Sequence, residues 1–302
     1  MTININDASS WGNLPAELQT LLSDVQHKAF PYRERADSWR YTQQYLENGN
    51  FFMAKNELEK MQERQDNLRL GLTPELQQLI QVVQAGEVDY PERSRSLQSL
   101  QEYLENGNFF MAKNELEQMQ VRQDNLRQGL TPELQQLIQA VQAGEVDYPE
   151  RSRSWQSLQE YLENGNFFMA KNQLEQMQVR QDNLRQGLTP ELQQLIQAVQ
   201  AGEVDYPERS RSWQSLQENL ENGNFFMAKN QLEQMQVRQD NLRQGLTPEL
   251  QQLIQAVQAG EVDYPERSTS WQSLQEYLEN GNFFMAKNEL EQMQVRQDNL
   301  RQ

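Results

Sequence analysis

Asn164-Gly165-Asn166-Phe167-Phe168-Met169-Ala170-Lys171-Asn172 decides how this chain folds, because the same nine residues also begin at Asn48, Asn106, Asn222 and Asn280. Each interval is 58 residues. Self-similarity at a fixed period is the signature of a repeat architecture, in which each unit buries its apolar face against its neighbours. The natural phase gives units at 14–71, 72–129, 130–187, 188–245 and 246–302, preceded by a polar leader over 1–13.

Within the third unit, Thr131-Pro132-Glu133 is a helix start: a capping hydroxyl, a proline at the first helical position and an acid in the first turn. Leu134, Leu137, Ile138 and Val141 follow at helical spacing, and Gly144 is expected to end the helix in the left-handed conformation. The first helix is thus predicted over 132–143. Asp147 and Glu150 resemble a capping box, and Trp155, Leu158, Tyr161 and Leu162 form one stripe, so the second helix is predicted over 148–163. Asn164-Gly165 ends it, Asn166 caps the next, and Phe167, Ala170, Leu174, Met177, Gln181 and Leu184 carry a third helix over 167–186. Gly187-Leu188-Thr189 leads into the next unit, and so short a connection favours packed neighbours over a string of beads. The fold expected is all-α: a tandem helical repeat, or α-solenoid, of five three-helix units in a right-handed superhelix.

Units three and four differ only at Tyr161 against Asn219. The fifth differs from the third at Thr269 and Glu289, and the second at Val82, Leu97 and Glu115. The first diverges widely before Asn48, as a capping repeat with one face in water would. Recent duplication and deliberate engineering both produce such near-identity, and both readings stand.

Gly165, Phe167, Ala170, Leu174 and Met177, with Tyr161 four residues before the glycine, fall at offsets that resemble the helix–turn–helix core of the tetratricopeptide repeat. The likeness covers the second and third helices. The period departs from the family's usual 34, and the first helix is extra. The resemblance implies binding of peptides or helices on a concave face, not catalysis.

Composition narrows the function classes. The formal charge is −17, which disfavours nucleic acid and anionic membranes as partners and suits a basic protein or peptide. The chain has no cysteine and one histidine, His27, expected at the surface, so no His/Cys metal cluster can form. Glu160 with Glu163 and Asp147 with Glu150 read as helix-face and capping acids, since acid–base work needs a carboxyl raised in an apolar pocket. The Asn-Gly-Asn turn lacks the glycine spacing of a phosphate loop, and Gly144-Glu145-Val146-Asp147 is too sparse for calcium. No catalytic residue, metal site or cofactor is therefore expected.

The recurring loop from Asp147 to Trp155 is the candidate binding surface, with Tyr148, Arg151 and Arg153, and Tyr206, Arg209 and Arg211 in the next copy, because arginine and aromatics anchor interfaces. Phe167, Phe168, Met169 and Trp155 are candidates for packing between repeats. The function expected is a non-catalytic, multivalent protein-binding scaffold. The alternatives are a structural spacer or self-assembling array, through head-to-tail contact of its ends, and, more remotely, an enzyme. No secretory signal is visible, so a cytoplasmic setting is expected.

Overall fold

Thr131 accepts a bond on its hydroxyl from the Leu134 N–H at 3.2 Å, and Pro132 opens the helix behind it. The same start is made by Thr73, Thr189 and Thr247. The computed structural model describes residues 5, 7–86, 88–202, 204–260 and 262–301. Over these the chain forms a short 3-10 turn, Ala8–Trp11, and fifteen α-helices. They are α1 (Ala16–His27), α2 (Arg35–Glu47), α3 (Phe51–Leu70), α4 (Pro74–Ala85), α5 (Arg93–Glu105), α6 (Phe109–Gln128), α7 (Pro132–Ala143), α8 (Arg151–Glu163), α9 (Phe167–Gln186), α10 (Pro190–Ala201), α11 (Arg209–Glu221), α12 (Phe225–Gln244), α13 (Pro248–Ala259), α14 (Arg267–Glu279) and α15 (Phe283–Arg301). This is an all-α tandem repeat of five three-helix units, as expected.

Two details of the unit differ from the sequence reading. The second helix starts at Arg151, three residues later than expected, and Glu150 precedes it without a side-chain capping bond. Asp147 does not cap, because Tyr148-Pro149-Glu150 is a turn whose Tyr148 carbonyl accepts from the Arg151 N–H. Gly144 ends α7 at φ −82, not in the left-handed region. A Cβ there would lie 2.7 Å from both the Arg185 guanidinium and the Gln181 amide oxygen, side-chain ends that would have to shift, and unit one carries Lys28 at the equivalent position.

Each unit has its own core, in which the third helix packs on the other two. In unit three, Leu134, Val141, Leu158, Ala170, Leu174 and Met177 are buried together, with Trp155 and Phe167 packed on their flank. Ala170 is fully buried, consistent with close helix approach at a small residue. Gln181 sits in the same interior and donates to the Val141 carbonyl at 3.1 Å. That bond satisfies a carbonyl that the end of α7 leaves without a helical partner. Gln123, Gln239 and Gln297 do the same in their units.

The leader over 1–13 is only partly polar in behaviour. Ile5 and Trp11 are buried with Leu14, Leu18 and Leu22 in the core of unit one, so the leader is part of that unit. The Ile5 carbonyl accepts from Gln26 and its N–H donates to Gln43. The remaining leader residues 1–4 and 6, and Gln302 at the other end, lie outside the described residues.

Units join by one repeated joint. The Glu92 N–H donates to the Asn164 side chain at 2.8 Å, and Asn125 donates to the Gly165 carbonyl at 2.8 Å. The same two bonds link unit one to two, through Glu34 with Asn106 and Asn67 with Gly107. They recur from three to four and from four to five. The Glu266 N–H then donates to the side chain of Asn48 at 2.9 Å, and Asn299 donates to the Gly49 carbonyl at 2.8 Å. Unit five therefore holds unit one as every other unit holds its successor. The array is a closed ring, each joint turning the chain by one fifth of a revolution.

Closure changes two expectations. The superhelix does not advance along an axis, because its fifth joint returns to its first unit. Unit one is not a cap with a face left to water, because its Asn48-Gly49 turn is seated in unit five. Its divergence is greatest in α1, α2 and the loop between them, with Lys60, Glu63 and Leu70 further differences in α3, and it keeps the residues that make the joint bonds, Glu34, Asn48, Gly49 and Asn67.

Candidate functional site

Asn164, Gly165 and Asn166 connect α8 to α9 and form a plug. Gly165 takes φ +65, a conformation side chains with a Cβ rarely adopt. A Cβ there would also lie 2.5 Å from the Arg122 carbonyl oxygen and 2.8 Å from Leu126 of the preceding unit. The turn can enter its socket only as glycine. Asn164 is buried and works in two directions: its amide donates to the Glu160 carbonyl within the unit, and its oxygen accepts across the joint.

The socket is built from the loop singled out above as a binding surface. Tyr148 is only 5% exposed. The Arg180 guanidinium lies over its ring, 5.9 Å from the centroid, and donates to Glu150 at 2.7 Å. Arg180 is thereby held with its backbone carbonyl against Gly223 of the next unit, while the Glu150 N–H reaches Asn222. Tyr206, over which Arg238 lies, repeats the arrangement in unit four. Tyr148 and Tyr206 are therefore interior residues beside a joint, and the partner this loop engages is the next unit of its own chain. Burial raises the Tyr206 phenol above its ordinary pKa, with nearby Arg238 opposing. Arg151 and Arg209 are half-buried at the starts of α8 and α11, whereas Arg153 and Arg211 are exposed.

The residues expected to pack between repeats separate into two pairs. Trp155 and Phe167 flank the core of their own unit. Phe168 is 72% exposed and Met169 38%. These two reach across the joint only to edge a groove. Because Arg180 and Leu184 of α9 meet Gly223, just before α12, the start of each long third helix lies beside the third helix of the unit before it. At four of the joints a cavity lies between them. The one between α6 and α9 measures about 590 Å³ and is lined by Val121, Arg122, Phe168 and Met169, with Asn114 and Glu117 at its edge. Equivalent cavities of about 520, 510 and 570 Å³ carry Phe226, Phe284 and Phe52. The joint between units one and two departs from this pattern: Glu63 stands where the other joints have Val121, Val179, Val237 and Val295.

These grooves were not among the candidate surfaces named from sequence. Two adjacent phenylalanines on one helix signal that one must leave the core, but only the ring's joint shows where it goes. His27 is exposed at the end of α1, its ring against the Ser23 carbonyl at 2.8 Å. Among the described residues there is no group of three or more His, Asp or Glu placed to hold a metal ion, and no helix is long and apolar enough to cross a membrane.

No protein-family model matches the chain, and no curated protein or solved structure shows a significant match to it.

Proposed function

We propose that this chain is a non-catalytic ring scaffold that binds protein or peptide partners in the grooves at its joints. One observation carries the reading: the same groove recurs at four joints, each with a phenylalanine at least 70% exposed and a methionine and valine beside it. Exposed apolar clusters rimmed by polar groups are the usual mark of a contact surface. The tetratricopeptide-like hairpin that supplies the phenylalanine is, in that family, a peptide-binding element. Glu117, Glu175, Glu233 and Glu291 line the four grooves, and the chain as a whole carries −17, so the partner that fits is an apolar segment flanked by lysine or arginine. A partner with several such segments gains affinity from the repeated spacing without new contacts.

The test is a titration of a lysine-flanked amphipathic peptide, alone and as a tandem, against the wild-type ring and rings with Phe52, Phe168, Phe226 and Phe284 replaced by serine one after another. Tandem affinity should fall with each substitution while single-peptide affinity per remaining groove holds. Undiminished binding with all four replaced would remove the grooves from consideration. A second reading, a structural ring without a ligand, draws support from the Asp147–Trp155 loop, whose Tyr148 and Glu150 are spent on joining units. It expects no saturable peptide binding.

A further inference from the structure

Four of the five joints are backed by a covalent connection, Gly-Leu-Thr, and one is not. The uncovered joint, where the Asn48-Gly49 plug enters unit five, uses the same bonds as the others. Every plug reads Asn-Gly-Asn and every socket supplies the same glutamate N–H and asparagine side chain. Nothing at the seam therefore distinguishes unit five of this chain from unit five of another copy. Each unit also keeps its own buried core, so a unit can leave its place as a body. The connection to unit five is exposed: Gly245 sits at φ +75 with no atom within 4 Å of where a Cβ would be, and Leu246 is 37% exposed.

We infer that the seam is a docking surface for a second copy of this chain, used by exchange of the terminal unit. Residues 246–302 of one chain swing out about Gly245-Leu246-Thr247 and take the place between units four and one of the partner, while the partner's unit does the reverse. Each ring in the exchanged dimer again has five units and five joints, all of the original kind. Exchange of identical elements through a short hinge is a low-cost route to dimers, and near-identical repeats favour it. Because the bonds made equal the bonds broken, the balance rests on concentration: the tethered unit rebinds its own socket at an effective concentration on the order of millimolar.

The experiment uses the full chain in light and isotopically heavy forms, mixed near millimolar concentration in sub-denaturing urea, then diluted and read by size exclusion and native mass spectrometry. The expected product is a dimer of twice 35.6 kDa with light and heavy chains together, of unchanged helix content. Gly49→Val, whose Cβ would lie 2.6 Å from the Arg296 carbonyl, should abolish it, because exchange then gains no seam. Asn299→Ala, which removes one seam bond from ring and dimer alike, should leave the dimer yield unchanged and speed mixing roughly two- to tenfold. Absence of mixed dimer, or its undiminished formation in Gly49→Val, would overturn the inference. Should Gly49→Val not fold, an unchanged mixing rate in Asn299→Ala overturns it instead.

Discussion

Gly165 holds a joint of the ring and Gln181 the core of its own unit, and each makes a measurable claim. Gly165→Ala adds a strained φ and a contact with the Arg122 carbonyl. It should cost roughly 1–3 kcal/mol in urea unfolding, as residues forced into such regions do. A cost no greater than that of an exposed glycine substitution in a helix would show that the joint yields. Gln181→Met keeps the volume but leaves the buried Val141 carbonyl unpaired, with an expected cost of about 1–3 kcal/mol. Solvent pH acts on the buried tyrosines. Burial raises Tyr32, Tyr90, Tyr206 and Tyr264 above the ordinary value of 10.0. The unfolded state therefore loses its phenol protons first. The stabilisation is complete below pH 10 and is lost as pH climbs from there through the folded-state values. Urea midpoints measured from pH 8 upward should be flat and then fall, and Tyr206→Phe should shrink the fall.

At the scale of the helix, much was legible in the chain because the determinants are local. Thr131-Pro132 and Asn166 placed two helix starts to the residue, since cap, proline and apolar stripe agree there. The start of α8 was misjudged because Asp147 and Glu150 carry a cap's chemistry, while Tyr148-Pro149 turns the chain before Arg151 under the demands of the joint. Trp155 and Phe167 were assigned between repeats and lie on their own unit's core, a distinction of direction that spacing on one helix does not encode. The grooves depend on where α9 stands relative to α6, a relation between units, so no stripe within one unit displays them. The exposed faces also make a prediction. Phe168→Ser should leave the melting temperature within about 2 °C, since surface changes are usually small. A large drop would mean that the groove packs more tightly than its 72% exposure indicates.

At the scale of the molecule, closure is the property the sequence conceals. Fifty-eight-residue periodicity reads equally as a helix of indefinite length or as a ring, because the choice depends on the angle at one joint. Open arrays fray from terminal units that have one neighbour only. Here units one and five each have two. Amide exchange should be slowed to similar degrees in α6, α9 and α12, and in α15 as well. Rapid exchange confined to α15 would indicate a seam that is mostly open. In-frame excision of 72–129 should leave four units whose joints no longer meet, giving concentration-dependent association in light scattering. A strictly monomeric, equally stable four-unit chain would show that the joints bend to suit the count.

Near-identical segments in tandem invite miscopying, and a chain of this kind can gain or lose a segment in one step. In an open array such a change alters length and little else. A ring whose joints each turn one fifth of a revolution treats it differently: four segments leave a gap, six collide, and either leaves the Asn48-Gly49 plug without a socket. The geometry at Gly165 and its counterparts thus acts as a counting device, making five the number at which no edge is left over.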